Sequence, residues 1–191
     1  MKIDKFPVML LANYRTGSSA LVRILGRKYN LEVFSEPHLD TEQLANLKKY
    51  IKNGKSDYIV KFMPDYLKTV PVYNYIYNSN CYKIKLTRND KIAQITSFYI
   101  AKMTKVWNNV PGMASRPENY TVNIDNVIVD LSIKQICTTE KLLDTAQVNF
   151  AQHLTYEETS FADARMEKLT APVNYQELYS YIEKYYNSKM L

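Results

Sequence analysis

The sequence predicts an α/β fold in three layers, with a central, mainly parallel sheet flanked by helices. The main observation is that short apolar runs alternate with longer segments whose apolar residues recur at helical spacing. The hydrophobic fraction of 46% is typical of a globular protein, and 191 residues suit one domain with a full core. No linker or repeat interrupts the pattern, so we expect a single domain over residues 1–191.

The first half of the chain contains four predicted strands with helices between them. The strands are the apolar runs at residues 7–12, 31–34, 57–62 and 81–86. A first helix follows the first strand, because apolar residues recur there at the spacing of one helix face. Residues 42–53 predict a second helix with Thr41 as its N-cap. Residues 66–77 are ambiguous, because Pro71 divides them into two short pieces.

The second half of the chain is predicted to contain more helix than strand. A long amphipathic helix begins at Asn89 or Asp90 and ends near Trp107. His153 falls on the last predicted strand, and we expect it to be a packed core residue. The remaining predictions are a loop at 108–119, short extended pieces at 120–129, a helix at 131–150, a strand at 152–156, and helices at 159–169 and 175–186.

The turn after the first strand is the most informative stretch of the sequence. Residues 14–19 read Tyr-Arg-Thr-Gly-Ser-Ser, between the apolar strand and the first helix. The free N–H groups of a helix N-terminus and the helix dipole favour an anion there. Gly17 allows close approach of the backbone, and Ser18 and Ser19 can cap the helix. We interpret the turn as a phosphate-binding site; the alternative is an ordinary strand-turn-helix corner.

Charged side chains follow each predicted strand. Because the carboxyl ends of parallel strands meet at one edge of a sheet, where ligands of such folds bind, these side chains are expected to share that edge. They are Arg15 after the first strand, Glu36 after the second, Lys61 after the third, Arg88 after the fourth, and Glu157 and Glu158 after the last.

A second motif begins at Arg88, which offers a bidentate grip on a phosphate at the end of the fourth strand. Residues 88–97 read Arg-x-Asp-Lys-x-x-Gln-x-x-Ser. Ser97 lies about two helical turns beyond Arg88 and is offset from the apolar stripe. Taken alone, the motif is also compatible with a capped amphipathic helix that begins with a solvated arginine.

Together, the two motifs resemble the nucleotide-binding elements of sulfotransferases that use 3′-phosphoadenosine 5′-phosphosulfate (PAPS). Arg-Thr-Gly-Ser-Ser at residues 15–19 and the pattern at 88–97 are most similar to the bacterial trehalose-type, carbohydrate-acting branch. That branch often has a second arginine where Asn89 stands. Either Arg88 acts with Ser97 at a spacing of nine, or Thr96 at a spacing of eight shares the work. The resemblance covers about residues 7–160 and implies a P-loop-like fold.

The resemblance implies transfer of a sulfuryl group from PAPS to a hydroxyl of a small-molecule or carbohydrate acceptor, with 3′,5′-diphosphoadenosine (PAP) as product. Arg15 would neutralise the leaving group, and no metal is required. Lys61 would add a second cation, with a solvated lysine at the strand end as the alternative. Glu36 is our choice of general base, with His38 as the rival; Glu36 paired with Arg15 is the plainer alternative. The predicted nucleotide ligands are Arg15, Thr16, Gly17, Ser18, Ser19, Ala20, Arg88, Thr96 and Ser97.

Two other functions fit parts of the sequence. A P-loop kinase would share the architecture, and residues 127–130, Val-Ile-Val-Asp, mimic a Walker B strand. The Walker lysine is missing, however, since Ser18 follows Gly17. A nucleotide-binding protein without chemistry would need the anion-binding residues but no general base.

Composition narrows the partners and the location. The net charge of +6 favours anionic ligands, but no block of Lys and Arg points to nucleic acid. Cys81 and Cys137 are expected to be reduced rather than paired. Without a signal pattern or a run near the ~20 apolar residues of a membrane helix, we expect a cytoplasmic protein that binds no membrane. The chain is short for the family, so we leave undecided whether a second subunit of a homodimer completes the acceptor pocket.

Overall fold

The computed structural model describes residues 2–107, 116–159 and 171–190. The fold is α/β, with one five-stranded sheet in which every pair of neighbouring strands is parallel. The strand order is β2-β3-β1-β4-β5. The strands are β1 (Val8–Ala12), β2 (Glu32–Ser35), β3 (Tyr58–Phe62), β4 (Tyr82–Thr87) and β5 (Gln152–Thr155). The helices are α1 (Ser18–Tyr29), α2 (Thr41–Lys52), α3 (Pro71–Asn78), α4 (Lys91–Thr104), α5 (Asn126–Asp144) and α6 (Tyr175–Met190).

The described residues form two compact units. The first unit draws on Met1–Asn89 and Thr139–Ala164 and contains the whole sheet. The second draws on Asp90–Thr138 and Arg165–Leu191 and contains α4, α6 and most of α5. The single domain expected over residues 1–191 stays a prediction.

Strand β1 lies at the centre of the sheet, and its alternating side chains enter two separate apolar clusters. On one face, Val8, Leu10 and Ala12 share a cluster with Leu21, Val22 and Leu25 of α1. On the other face, Met9 and Leu11 share a cluster with residues of α2, α3 and the last turn of α5, namely Leu47, Tyr73, Ile76 and Leu143. The predicted class, a parallel sheet flanked by helices, is therefore confirmed, and within the first unit the arrangement is consistent with three layers.

The second unit is helical in the part that the structure describes. Asp90 caps α4, because its Oδ1 accepts a hydrogen bond from the N–H of Ala93 at 2.9 Å. Asp125 serves α5 in the same way, accepting from the N–H groups of Val127 and Ile128. Buried Leu178 and Ile182 make up part of the core face of α6. Of the helices described in the chain, none has the length and apolar character needed to cross a membrane.

Several local predictions were wrong. Asp40, not Thr41, caps α2, since its carboxylate accepts from the N–H groups of Glu42 and Gln43. The division at Pro71, in contrast, is confirmed: a short 3-10 helix at Pro64–Tyr66 precedes it, and Pro71 begins α3 as its first residue, where a missing N–H costs nothing.

Two further corrections concern the second half of the chain. Residues 126–129 belong to α5 rather than to an extended piece, and that helix ends at Asp144 rather than at residue 150. His153 is exposed, not a core residue, and its ring meets Phe150 edge-on. Residues 108–115 of the predicted loop and 160–169 of the predicted helix lie outside the described residues.

Candidate functional site

The topology singles out the carboxyl end of β1. From β1 the chain continues into α1 on one face of the sheet, whereas from β3 it continues into α3 on the opposite face. In parallel sheets, the crevice beside such a point of divergence is where ligands bind. The turn of residues 13–17 lies there, between the strand ends of β3 and β4.

The turn has the backbone of an anion-binding loop. Gly17 is the N-cap of α1 with φ 74°, and Arg15 also has a left-handed backbone with φ 57°. The first helical hydrogen bonds are donated by Ala20 and Leu21 to the carbonyl of Gly17, both at 3.0 Å. The N–H groups of Ser18 and Ser19 precede these bonds and are not used by the helix. They are therefore suited to bind an anion at the positive end of α1.

The side chains of the turn are used differently from the prediction. Ser18 and Ser19 do not cap α1, because they lie inside its first turn and no side chain caps the helix. The hydroxyl of Thr16 donates to the carbonyl of Asn13 at 2.8 Å, and Thr16 is completely buried. The N–H of Tyr14 donates to Oδ1 of Asn13 at 2.7 Å. Asn13 and Thr16 thus hold the turn in shape.

Lys61 and Glu36 form an ion pair close to the carboxyl ends of β2 and β3. Lys61 lies within β3 rather than after it, and 2% of its side chain is exposed, against 17% for Glu36. Its Nζ donates to Oε2 of Glu36, and the N–H of Glu36 donates to the Lys61 carbonyl at 2.8 Å. Burial lowers the pKa of Lys61, the carboxylate of Glu36 opposes that shift, and the charge of Arg15 adds to it. The three predicted catalytic charges therefore act on one another.

His38 lies beside this pair, and its ring contacts the side chains of Tyr73 and Tyr66. Its Nδ1 is 2.7 Å from the hydroxyl of Tyr73, which also accepts the backbone N–H of His38 at 3.1 Å. Its ring is 3.9 Å from that of Tyr66, centroid to centroid. Burial is the main cause that lowers the pKa of His38; Lys61 lowers it further and Glu36 opposes both. Its Nε2 is buried and has no hydrogen-bond partner in the described part of the chain.

Arg88 brings the second motif to the first. Its Nη1 donates to the carbonyl of Arg15 at 3.3 Å, so the guanidinium lies against the turn of residues 13–17. The same guanidinium lies 4.5 Å from the ring centre of Tyr156, and its Nε is 4.0 Å from Oε1 of Glu157. Glu157 also accepts the N–H of Asn89 at 3.1 Å. Arg15 and Arg88, 73 positions apart in sequence, are therefore neighbours.

The other half of the second motif, Thr96 and Ser97, lies on α4 in the second unit. Thr96 is completely buried and its hydroxyl has no hydrogen-bond partner among the described residues. Ser97 is half-buried. Their predicted role beside Arg88 stays a prediction, and exposure favours Ser97 over Thr96 as a ligand.

The feature that favoured a kinase is not a strand. Residues 127–130 form part of the first turns of α5, and Asp130 lies 3.9 Å from Nζ of Lys189. Residues 127–130 are therefore not the Walker B strand that their sequence resembled. In the part of the chain that the structure describes, no three His, Cys, Asp or Glu side chains are grouped to hold a metal ion.

Sequence reasoning missed the side chains of Tyr73, Asp65 and Thr139. Tyr73 contacts His38 from 35 positions away, and Asp65 binds both Tyr14 and Thr139. Nothing local marks these residues, because each partner comes from a different element. The one usable signal was an aspartate directly after the proline that closes β3, at the edge where ligands bind.

Comparisons with models of known protein families and with curated proteins found no match for this chain. The resemblance to sulfotransferases therefore depends on the two sequence motifs alone. The expected acceptor, oligomeric state and location stay predictions.

Proposed function

We propose that this chain is a PAPS-dependent sulfotransferase with a P-loop-like fold, acting on a hydroxyl of a small-molecule or carbohydrate acceptor. The observation that supports it most is the 3.3 Å contact of Arg88 with the Arg15 carbonyl. Two anion-binding elements recognised separately in sequence lie at the carboxyl ends of adjacent strands, β1 and β4. A nucleotide with phosphates at both its 3′ and 5′ positions matches two such elements.

The turn supplies the 5′ side of the nucleotide site. The backbone N–H groups of residues 16–19 would bind the 5′-phosphate at the N-terminus of α1. The N–H of Ala20, which was also expected to be a ligand, donates instead to the Gly17 carbonyl at 3.0 Å. Arg88 would bind the 3′-phosphate through its guanidinium, which lies next to the turn. Glu157 would then yield part of its contact with Arg88 to the phosphate.

The reaction proposed is an in-line transfer. The acceptor oxygen attacks sulfur, the bond from sulfur to the 5′-phosphate oxygen breaks, and PAP leaves with the electron pair. Arg15 stabilises the charge that develops on the leaving oxygen, and Lys61 adds positive charge close by. The acceptor proton passes to the general base.

Glu36 is the base that the site supports better. One carboxylate oxygen, Oε2, binds Lys61, and the side chain keeps some exposure through which an acceptor reaches it. His38 is neutral near pH 7, because burial lowers its pKa, but the nitrogen opposite Tyr73 is buried. His38 is therefore the second choice, provided that substrate binding exposes Nε2.

One observation favours a second candidate, a nucleotide-binding protein without chemistry. Glu36 and Lys61 bind each other, so each satisfies much of the other's charge without a substrate. Such a protein would bind PAP as tightly as an enzyme does, yet form no sulfated product from PAPS with any alcohol or sugar.

The direct test is calorimetric titration with PAP and with AMP. AMP lacks the 3′-phosphate for which Arg88 is the proposed ligand, so PAP should bind about a hundredfold more tightly, a value near 3 kcal/mol for a charge-assisted contact. Equal affinities would overturn the assignment of the second motif. Mg²⁺-dependent binding of ATP in preference to PAP would favour a kinase instead.

A further inference from the structure

Asp65 links the anion-binding turn to the core. It lies in the short 3-10 helix Pro64–Tyr66 that follows β3. Its Oδ2 accepts a hydrogen bond from the hydroxyl of Tyr14 at 3.1 Å. The hydroxyl of Thr139 donates to the same carboxylate, 2.8 Å from each oxygen. One carboxylate thus joins the turn, the end of β3 and α5.

The α5 side of this link is rigid. Thr139 is completely buried, and Leu143, one turn further along α5, is completely buried in the core cluster with Met9 and Leu11 of β1. The carboxylate of Asp65 is therefore hydrogen-bonded to a hydroxyl that is fixed by its burial in the core. Tyr14, in contrast, belongs to the exposed side of the edge and is half-buried.

The residue that follows Tyr14 needs such support. Arg15 has φ 57°, a conformation that costs a residue other than glycine free energy and persists where its surroundings enforce it. Bonds from Thr16 and Tyr14 to Asn13 act within the turn. The bond from Tyr14 to Asp65 reaches across to a different element, so it fixes the turn as a whole against the sheet.

We propose that Asp65 is a positioning residue that, through the hydroxyl of Tyr14, fixes Arg15 and the N–H groups after it in their anion-binding arrangement. The assignment of that anion to PAPS rests on the function proposed above. Asp65 is an acid close to an anion site, where its charge opposes binding. Two hydroxyl donors, Tyr14 and Thr139, occupy the carboxylate and offset that cost.

Tyr14→Phe tests this with the smallest change, since it removes one hydroxyl and leaves Asp65 bound to Thr139. Amide hydrogen exchange of a peptide that covers the turn should become about fivefold faster, the effect of losing one ordinary hydrogen bond. Tyr75→Phe, which removes an exposed hydroxyl on α3, is the matched control and should leave that exchange unchanged. Asp65→Ala combined with Tyr14→Phe should exchange no faster than Asp65→Ala alone, because both act on one bond.

PAP titration of the same variants separates the two proposals. If the wild type binds PAP, Tyr14→Phe should bind PAP more weakly and turn over PAPS about tenfold more slowly, because the N–H groups and Arg15 both lose their fixed arrangement. If the wild type fails to bind PAP but the turn exchanges faster in Tyr14→Phe, the role of Asp65 stands and its assignment to PAPS is overturned. Unchanged exchange in Tyr14→Phe overturns the role of Asp65 whatever the ligand is.

Discussion

Lys61 and Arg88 are both cations at the same edge of one sheet, yet their surroundings differ. Lys61 is 2% exposed, lies within β3 and binds Glu36. Arg88 follows β4, is half-buried and lies against the ring of Tyr156, with Glu157 4.0 Å away. The ammonium group of Lys61 is buried with its counter-ion, Glu36. The guanidinium of Arg88 lies against the ring of Tyr156, and its carboxylate partner, Glu157, is farther away.

The difference separates two tasks. A buried lysine with one close carboxylate keeps its position and its partner, which suits a group that acts at a reacting centre. A guanidinium stacked on an aromatic ring, with its carboxylate at the limit of an ion pair, exchanges that carboxylate for a phosphate at little cost. Under the proposed function, the region of Lys61 would serve the chemistry and the region of Arg88 would bind the nucleotide.

The largest effect is expected from Lys61→Met. It leaves the carboxylate of Glu36 at a largely buried site without its counter-ion, which should cost about 3 kcal/mol of unfolding free energy. Urea unfolding at pH 7 measures the loss.

Two controls identify the cause of that loss. Lys61→Met with Glu36→Leu should recover most of the stability, because an apolar pair replaces a buried ion pair well. Lys85→Met breaks the pair of Lys85 with Asp144, whose side chain is 58% exposed, and should cost less than about 1 kcal/mol. Equal losses for Lys61→Met and Lys85→Met would remove the distinction between the two regions.

Arg15→Ala comes next in size. If Arg15 neutralises the leaving group, turnover of PAPS should fall about a hundredfold, as when one transition-state donor is removed, while PAP affinity falls much less. Arg27→Ala, an exposed arginine near the end of α1, is the control and should keep turnover. Full turnover in Arg15→Ala would mean that the leaving group is stabilised elsewhere.

Much of this framework was predictable from sequence, because it depends on local patterns. Apolar runs gave the strands, and a Gly-Ser turn between strand and helix indicated an anion site that the backbone of Gly17 supports. Local capping was harder: Asp40 and Thr41 are both good caps, and the structure uses Asp40. Asp125 caps α5 in the structure, whereas the β-branched residues after it are typical of an extended segment.

The contacts within the site were not predictable. The pairing of Glu36 with Lys61 depends on β2 lying next to β3, and strand order is not written in any single motif. Lys61 was expected to follow the third strand, but it lies buried within β3, beside a partner 25 positions away. The bonds of Asp65 to Tyr14 and Thr139 likewise span 51 and 74 positions.

Arg88→Lys tests whether the guanidinium of Arg88 binds the 3′-phosphate of the nucleotide. Lysine keeps the charge but loses the bidentate fork and the stacking on Tyr156, so PAP affinity should fall about thirtyfold while AMP affinity is unchanged. Titration calorimetry measures both. A parallel loss for PAP and AMP would place Arg88 at the shared 5′-phosphate rather than at the 3′-phosphate.

Glu157→Gln should act in the opposite direction. It removes the carboxylate that competes for Arg88 and keeps an acceptor for the N–H of Asn89. PAP affinity should rise about threefold, in keeping with the small value of a partly exposed ion pair. Weaker binding of PAP would show that Glu157 holds Arg88 in place for the nucleotide instead.

The smallest effect concerns His38 beside Lys61. Burial lowers the pKa of His38 below its ordinary 6.5, so the unfolded chain takes up a proton more readily than the folded one. This contribution to stability is present above pH 6.5 and is lost as the pH falls through and below that value. The urea midpoint should therefore fall less between pH 7.5 and 5.5 in His38→Gln than in the wild type. An identical fall would mean that His38 titrates normally.

A crystal structure with PAP bound tests the central claim most directly, namely that two anion-binding elements hold the two phosphate-bearing ends of one nucleotide. We predict the 5′-phosphate within about 3 Å of the N–H groups that follow Gly17, and the 3′-phosphate at the same hydrogen-bonding distance from the guanidinium of Arg88. A complex in which Arg88 keeps Glu157 and the 3′-phosphate lies in solvent would contradict the account.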